Sequence, residues 1–310
     1  MSAVWITGGK GFIGRNLAKY IATYKVDIFG IGYGSWSTGE YSKWGYKSWM
    51  SAEIDSDNLS LLASDTGLPK TIYHLAGGAA VRPSILHPYE DFQRTVDTTA
   101  RLLEWVRQNS PQTRVIGISS AAVYGAEFED SIKEDAVGQP YSPYGFHKSM
   151  LESLFSSYRV TFDLNVAVVR LFSVYGEGLE KQLLWDLCNK LDKSKSNEVV
   201  LNGTGRELRD WLHVTDATRL LWMIGNLDAF DNHIVNGGTG LATSISQVAQ
   251  IAAVAWGEDH NIEFNGIARK GDPQYLVADT GLSSSLGFVA HVPVAGGVKY
   301  VVEWFKARKL

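Results

Sequence analysis

The sequence predicts an α/β fold in which a doubly wound parallel sheet is followed by a smaller C-terminal α/β domain. Short, continuously apolar segments alternate with helical patterns over residues 1–175, as in a parallel sheet covered by helices on both faces. A glycine-rich turn follows the first apolar segment and opens the first helix. The length of 310 residues suits about two domains.

The first region is expected to alternate strands and helices, joined by right-handed crossovers. The predicted strands are 3–6, 26–31, 71–76, 114–119 and 165–171, and the predicted helices are 16–24, 92–106 and 144–158.

The pattern becomes looser after Tyr175. Strands are expected at 198–201 and 209–214, and helices at 183–191, 214–224, from Ser244 onward and at 298–305, with Thr215 or Asp216 capping the second of these helices. We expect residues 1–175 to form the first domain, with part of 208–240 packed back on it, and 176–310 the second.

Composition and charge exclude several classes of protein. The 29 basic and 33 acidic residues give a net charge of −4, so no electrostatic footprint for nucleic acid or an anionic membrane is expected. The single cysteine, Cys188, excludes an intrachain disulfide and a cysteine-rich zinc site, and no histidine spacing indicates a metal. No signal peptide and no apolar run of about 18 residues is recognised, so a cytoplasmic protein is predicted.

Three glycines in the first turn indicate a phosphate-binding site. Gly8, Gly11 and Gly14 lie between the first strand and the first helix, spaced G-x-x-G-x-x-G. Such glycines allow a tight turn, a close approach of pyrophosphate to the helix N-terminus, and close packing of helix on sheet. The position between strand and helix favours a Rossmann-type dinucleotide site over an ordinary turn.

The end of the second strand bears on the choice of dinucleotide. An acidic residue about 20 residues beyond the glycines would bind the ribose hydroxyls of NAD. Gly32 stands there, so we expect no carboxylate opposite the 2′-phosphate of NADP, which Tyr33, Ser35, Ser37 and Lys43 are placed to surround. NADP(H) is therefore favoured, with NAD as the alternative if Gly32 only permits a turn.

A second group of residues points to proton transfer. Tyr144 and Lys148 are four residues apart in a predicted helix and so share one face. An ammonium near a phenol favours the phenolate, so we expect Lys148 to lower the pKa of Tyr144 from its ordinary value of about 10. Ser120 follows a strand that ends at the same carboxyl edge of the sheet, where a hydroxyl can polarise a carbonyl.

These motifs together resemble the extended short-chain dehydrogenase/reductases of the nucleotide-sugar epimerase/dehydratase group. The resemblance covers nearly the whole chain. It rests on the segments 7–14, 75–77, 119–125, 144–148, 170–176, 209–214 and 269–279. It implies a dinucleotide-binding domain over residues 1–175 and a nucleotide-sugar-binding domain over 176–310.

The resemblance implies Ser120, Tyr144 and Lys148 as catalytic residues: Tyr144 transfers a proton, Lys148 supports it and holds the ribose, and Ser120 orients the sugar oxygen. The implied cofactor contacts are Gly8, Gly11, Phe12, Ile13, Gly14, Tyr33, Ser35, Leu75, Ala76, Gly77, Tyr144 and Lys148. The implied substrate contacts are Arg82, Ser84, Ser120, Ser173, Arg209 and Arg269. The alternatives are salt bridges for Arg209 and Arg269, and an ordinary surface loop for Arg82 and Ser84.

Departures from the family pattern narrow the reaction. Sugar 4,6-dehydratases of the group carry an Asp-Glu pair after the catalytic hydroxyl, where this chain has Ala121-Ala122, so dehydration is not expected. The cysteine of the 3,5-epimerase/reductases is also replaced by Ala121, and Cys188 is expected in the core. Thr95 and Ser173 stand where many relatives have asparagine.

Two reactions at C4 of a nucleotide-linked hexose remain. One is reduction of a 4-keto-6-deoxy sugar by NADPH, which Gly32 favours. The alternative is NAD-dependent 4-epimerisation, in which the cofactor stays bound. A non-catalytic cofactor-sensing protein is disfavoured by the intact Ser120, Tyr144 and Lys148, and a reductase for non-sugar carbonyls by Arg209 and Arg269.

The resemblance also implies partners and a setting. It implies a homodimer formed through the helices near 92–109 and 144–158, a nucleotide-diphosphate sugar as substrate, and a role in bacterial surface-polysaccharide precursor synthesis. His147, within the predicted catalytic helix, is placed to line the active site, and His74 is expected to be structural.

Overall fold

The structure is a computed structural model that describes residues 3–194, 198–227, 234–257, 260–267 and 271–308. The chain divides into two compact units. Unit 1 comprises Met1–Tyr124, Gly138–Leu171 and Thr218–Val235, and unit 2 comprises Gly125–Val137, Phe172–Ala217 and Asn236–Leu310. The predicted binding roles of 1–175 and 176–310 remain predictions.

The secondary structure alternates in the way that the sequence predicts. The strands are β1 (Val4–Thr7), β2 (Ile28–Gly32), β3 (Ser48–Ser51), β4 (Thr71–His74), β5 (Arg114–Ser120), β6 (Val166–Leu171), β7 (Ser173–Tyr175), β8 (Glu198–Leu201), β9 (Leu208–His213), β10 (Ile234–Gly237), β11 (Ala242–Ser244), β12 (Asn261–Phe264) and β13 (Tyr275–Leu276). The helices are α1 (Phe12–Ala22), α2 (Glu40–Lys43), α3 (Ser56–Thr66), α4 (Val81–Leu86), α5 (Pro88–Phe92), α6 (Thr98–Asn109), α7 (Pro143–Phe162), α8 (Gln182–Lys193), α9 (Val214–Gly225), α10 (Ile245–Trp256), α11 (Gly281–Ser285) and α12 (Val294–Ala307).

A seven-stranded sheet has the order β10-β6-β5-β4-β1-β2-β3. The pairs from β6 to β3 are parallel. The chain runs outward from β1 to β3 and then returns to β4 on the other side of β1, so the strand order reverses between β1 and β4. Ligands bind at such a reversal, outside the carboxyl ends of the strands. The doubly wound α/β prediction is confirmed.

The sheet of unit 1 is buried because its strands are apolar along their whole length. All four residues of β1 and all six of β6 are buried, as expected for strands covered on both faces. One core includes Trp5 of β1, Leu103 of α6 and Phe155 of α7. Apolar burial on this scale fixes the register of the strands, and with it the position of every residue at their carboxyl ends.

Unit 2 is built from shorter strands around a second core. β9 lies in a four-stranded sheet with β11, β13 and β7, and β8 pairs with β12 in a separate parallel ribbon. Its core includes Cys188 of α8, Trp211 of β9 and Val298 of α12. Cys188 is fully buried, so the prediction that it belongs to the core is confirmed.

Several predicted element boundaries need correction. α1 begins at Phe12 rather than at residue 16, so Gly14 lies within the helix. Neither Thr215 nor Asp216 caps α9: the helix begins at Val214, and the Nδ1 atom of His213 accepts a hydrogen bond from the backbone N–H of Thr215 at 3.3 Å. The strand β3 and the helix α3 are not predicted, because neither has a clear apolar period.

Candidate active site

The glycine turn leaves the N-terminus of α1 open to an anion. Gly8 has φ +64°, and a Cβ there would lie 2.7 Å from the backbone nitrogen of Ala76. At Gly14 a Cβ would lie 2.6 Å from the Cα of Gly9. Gly11 is the N-cap, without a capping side chain, and no acidic residue occupies the first turn. The N–H groups that open a helix lack intrahelical partners, so this turn fits a pyrophosphate.

The backbone groups at that helix end belong to Phe12, Ile13 and Gly14, three of the predicted cofactor contacts. Residues 34–51, which follow β2, hold the glycine turn in place. The hydroxyl of Tyr46 lies 3.1 Å from the carbonyl oxygens of both Gly9 and Gly14. The indole N–H of Trp49 donates to the carbonyl of Gly34 at 3.0 Å. The segment therefore packs against the turn.

Two carboxylates interact with residues that follow β2. The cofactor preference stays a prediction. Desolvation and then the nearby carboxylate of Glu53 raise the pKa of Tyr33, against the opposing charges of Arg94 and Arg101. The carboxylate of Glu40 accepts hydrogen bonds from the hydroxyl of Ser37 at 2.7 Å and from its backbone N–H at 3.1 Å. Ser37 is thus engaged by a carboxylate rather than free for a phosphate.

His74 connects the two strands that flank the reversal of the sheet. Its Nδ1 atom lies 2.8 Å from the hydroxyl oxygen of Thr7, and its Nε2 atom lies 3.0 Å from that of Thr99. The Thr99 hydroxyl donates to the carbonyl of Thr95 at 2.5 Å, so it accepts from His74 Nε2–H. The hydroxyl of Thr7 then donates to Nδ1 and accepts from the N–H of Ala76 at 3.2 Å. Burial lowers the pKa of His74 to about 3, so this imidazole is neutral.

Ser120, Tyr144 and Lys148 come together at the carboxyl end of β5. Ser120 is the last residue of β5, and Tyr144 is the second residue of α7, whose N-cap is Ser142. The phenol of Tyr144 interacts with the hydroxyl of Ser120, which opposes the rise in the pKa of the phenol. The ammonium of Lys148 lies 5.8 Å from the centre of the Tyr144 ring and donates to the carbonyl of Ile118 at 2.9 Å. The geometry brings a hydroxyl, a phenol and an ammonium into one group, in which Lys148 is buried and Ser120 and Tyr144 are half-buried.

The pKa balance in this group differs from the sequence expectation. Burial raises the pKa of Tyr144, the hydrogen bond from Ser120 partly opposes this, and Lys148 is not among the groups that lower it. Burial lowers the pKa of Lys148 to about 8, against the opposing effect of the carboxylates Asp91 and Glu152. Desolvation therefore outweighs the phenol–ammonium attraction, and Tyr144 is a neutral proton donor at neutral pH in this structure.

The loop after β4 brings further predicted residues to the same place. Leu75, Ala76 and Gly77 follow β4, and a Cβ at Gly77 would lie 3.4 Å from the Nζ atom of Lys148. Thr95 is fully buried in a π-helical turn, and its hydroxyl accepts from the N–H of Gly78 at 2.8 Å. Thr95 therefore shapes this loop.

Ser84 requires a correction among the predicted substrate contacts. It is fully buried, its hydroxyl donates to the carbonyl of Val81 at 2.7 Å, and it accepts from the backbone N–H of Tyr144 at 3.0 Å. Both capacities of the hydroxyl are used within the protein, so Ser84 positions the start of α7. Arg82 is exposed in the first turn of α4.

Two buried carboxylate pairs, one with an imidazole and one with a guanidinium, lie beside the group and are not predicted from the sequence. Asp91 and His147 are 2.6 Å apart, and Glu152 accepts two hydrogen bonds from Arg170 at 2.9 and 2.8 Å. Arg170 also donates to the hydroxyl of Tyr124 at 2.9 Å. Glu152 lies one turn after Lys148 on the inward face of α7. A charged residue on the apolar face of a predicted helix indicates a buried partner of opposite charge, so sequence reading can find this pair. Nothing in the spacing relates Asp91 to His147.

Of the two predicted diphosphate ligands, Arg209 lies on β9 in unit 2. The guanidinium of Arg209 donates to Asp272 at 2.6 Å and to the carbonyl of Leu208 at 2.9 Å, so the salt-bridge alternative is present in the structure. Ser173 is the half-buried first residue of β7. Arg269 lies outside the described residues.

Among the residues that the structure describes, no helix is long and apolar enough to cross a membrane. The same part of the chain contains no cluster of three or more histidine, cysteine, aspartate or glutamate side chains suited to a metal ion.

Comparisons with known proteins agree with this architecture. The sequence profile of the NAD dependent epimerase/dehydratase family matches residues 4–238. A UDP-glucose 4-epimerase of Mycolicibacterium smegmatis is 28% identical over 317 residues, covering 97% of each chain. A CDP-paratose 2-epimerase of Salmonella typhi is 26% identical over 333 residues, covering 96% of this chain and 98% of the relative.

Solved structures extend the comparison to three dimensions. MoeE5 in complex with UDP-glucuronic acid and NAD superimposes with a TM-score of 0.86 at 28% identity, covering 100% of both chains. The UDP-glucose 4-epimerase of Thermotoga maritima, at 24% identity, has a TM-score of 0.89 and covers 99% of this chain and 100% of that one, which supports the fold.

Proposed function

The chain belongs to the NAD-dependent epimerase/dehydratase family, and on that premise we propose that it is an NAD-dependent epimerase acting at C4 of a nucleotide-diphosphate hexose. It is an enzyme of the extended short-chain dehydrogenase/reductase type, as the sequence predicts. The proposal replaces the NADPH-dependent reductase that the sequence favours with its stated alternative.

The observation that supports this choice is the pair of carboxylates near the end of β2. Glu53 lies beside Tyr33, and Glu40 accepts a hydrogen bond from Ser37, so two carboxylates lie in the surroundings expected for a 2′-phosphate. A like charge there repels the phosphate of NADP, whereas carboxylates accept hydrogen bonds from the ribose hydroxyls of NAD. MoeE5, similar over its whole length, is described with NAD.

The residues of unit 1 are suited to moving a proton on and off a sugar hydroxyl. NAD, held at the glycine turn by the backbone of Phe12, Ile13 and Gly14, would supply the hydride acceptor and donor for C4 of the sugar. Tyr144, once its phenol has given up its own proton, takes the hydroxyl proton as the carbonyl forms and returns it afterwards. Lys148, anchored on the carbonyl of Ile118, supplies positive charge beside the phenol. Ala121 and Ala122 offer no carboxylate for eliminating water.

Arg209 is proposed to bind the diphosphate of the substrate. Arg209 is held by Asp272 with its guanidinium fixed, and an arginine fork suits phosphate oxygens. Ser173 and Arg269 remain proposed contacts to the sugar and the diphosphate. Solved structures of MoeE5 contain UDP-glucuronic acid or UDP-glucose, so these two nucleotide sugars are the first substrates to test.

Turnover without added cofactor tests the proposal. The purified protein is incubated with UDP-glucose or UDP-glucuronic acid, and the sugar is followed by NMR, with Tyr144→Phe as control. We expect the C4 epimer to accumulate to equilibrium with no nucleotide supplied. No epimer from either sugar, with NADPH consumed on a 4-keto-6-deoxy nucleotide sugar, would instead establish the reductase that Gly32 favours.

A homodimer through α6 and α7 is part of the proposal. Phe146, Met150 and Val160 of α7 are exposed apolar side chains. Such residues along one helix suit a covered face. Light scattering should give twice the chain mass, and a monomer at micromolar concentration would contradict this. A cytoplasmic location and a role in polysaccharide precursor synthesis stay predictions.

A further inference from the structure

A buried carboxylate–imidazole pair lies beside the proposed acid–base residues. The Nδ1 atom of His147 on α7 is 2.6 Å from the Oδ2 atom of Asp91 on α5. Their side chains are 11% and 7% exposed. The ring of Phe92 meets the imidazole edge-on, with centroids 5.7 Å apart. Removing a carboxylate from water is costly unless its charge is matched, so this pair is held in place by specific partners.

The other face of the carboxylate lies against the loop that follows β4. A Cβ at Gly78 would lie only 1.9 Å from the Oδ1 atom of Asp91, so the bare backbone of Gly78 makes room for the carboxylate. A Cβ at the preceding Gly77 would lie 3.4 Å from the Nζ atom of Lys148. The loop is therefore enclosed between the Asp91 carboxylate and the Lys148 ammonium.

Asp91 acts electrostatically on both members of the acid–base pair. Burial lowers the pKa of Lys148, and the charge of Asp91 opposes this by raising it. Burial raises the pKa of Tyr144, and the charge of Asp91 raises it further. Glu152 likewise raises the pKa of Lys148, but its carboxylate is neutralised by two hydrogen bonds from Arg170.

The remaining titratable groups nearby have less influence. His74, on β4, is neutral because burial lowers its pKa to about 3. His87, Glu90 and Arg94, close to Asp91 in the chain, form ion pairs with one another at 4.0 and 3.3 Å on side chains that are more than half exposed, where solvent screens them.

We propose that Asp91 is a positioning residue for the proton-transfer step. Its carboxylate is the counter-ion that keeps Lys148 charged and Tyr144 protonated. His147 holds this carboxylate by a hydrogen bond that reduces its effective negative charge. This inference rests on the proposed function for the roles of Tyr144 and Lys148. It adds a pair of residues on α5 and α7 whose charge balance sets the pH at which the phenol can give up its proton.

The test is a titration of Tyr144 that needs no substrate. Phenolate absorbance is followed against pH in the protein as purified, and the curve of the matching Tyr144→Phe protein is subtracted. Asp91→Asn should shift Tyr144 ionisation to lower pH by about one unit, because a nearby negative charge is removed. His147→Ala should shift it to higher pH, because the carboxylate then keeps its full charge. Glu90→Gln, on the same helix, should leave it unchanged.

The opposite signs distinguish this role from packing. Loss of a merely structural pair would shift neither titration, or would shift both in the same direction, and either result would overturn the proposal. If Asp91→Asn does not fold, the shift in His147→Ala decides alone. Where turnover is measurable, both limbs of the pH–rate profile should move with the titration. Absence of turnover in the unsubstituted protein would contradict the proposed function and leave the titration result valid.

Discussion

The glycine turn after β1 and the start of α7 achieve binding geometry in different ways. The turn consists of backbone: Gly8 and Gly14 lie so close to neighbouring chain that a side chain at either would collide with it. The start of α7 consists of buried side chains, with Tyr144 held by Ser120 at its hydroxyl and by Ser84 at its backbone N–H. The first arrangement depends on the absence of atoms, and the second on a network of hydrogen bonds.

This difference predicts different responses to substitution. A change in the turn should alter binding and stability together, because the backbone that would hold the phosphates also packs helix on sheet. A change at Tyr144 should alter chemistry while leaving the fold intact, because the phenol is one partner in a network that other groups also hold.

The largest expected effect is that of Tyr144→Phe. Turnover should fall by about 10²–10⁴-fold, the usual contribution of a positioned acid–base group, with cofactor content and thermal stability close to those of the unsubstituted protein. Steady-state kinetics with a thermal melt measure both. Tyr89→Phe, at an exposed tyrosine, is the matched control. Turnover within a factor of about ten would show that another group transfers the proton.

Gly14→Ala should show the opposite pattern. The new methyl group would lie 2.6 Å from the Cα of Gly9, so we expect a loss of about 1–3 kcal/mol in the free energy of unfolding and less bound cofactor. Gly296→Ala in α12, where a Cβ has open space, should instead add about 0.5–1 kcal/mol. Chemical denaturation of both variants makes the comparison. Unchanged stability and cofactor content in Gly14→Ala would mean that the turn yields more easily than its geometry indicates.

His74 lies between the two regions, and its effect should depend on pH. Burial lowers its pKa to about 3, against about 6.5 in the unfolded chain. Between these values the unfolded chain binds a proton that the folded chain does not, so this group reduces stability as the pH falls. From about pH 7 to pH 5, His74→Gln should lose less free energy of unfolding than the unsubstituted protein does. Parallel losses in urea denaturation would contradict the assignment of a neutral buried imidazole.

The sequence predicts what depends on local pattern. β1, the glycine turn and the Tyr144–Lys148 spacing are readable because apolar runs, glycine and helical period each act over a few residues. Ser84 and Asp91 are not readable in this way, because their partners are Tyr144 and His147, which lie 60 and 56 residues away.

The cofactor inference from the sequence shows the same limit. Gly32 indicates correctly that the end of β2 lacks an acidic residue. Glu53 follows the next strand, β3, and its carboxylate lies beside Tyr33 in the folded chain. The charge near the end of β2 therefore depends on tertiary structure. Local spacing therefore favoured NADP, whereas the folded chain brings a carboxylate close to Tyr33.

The nucleotide that the protein carries tests the central claim most directly. The freshly purified protein is denatured, and the released nucleotide is identified by chromatography against NAD, NADH, NADP and NADPH. We expect near-stoichiometric NAD or NADH, as in an epimerase that keeps its cofactor through the reaction. Release of NADP or NADPH, or an empty protein that binds NADPH more tightly than NADH, would contradict the account and indicate a 4-ketoreductase.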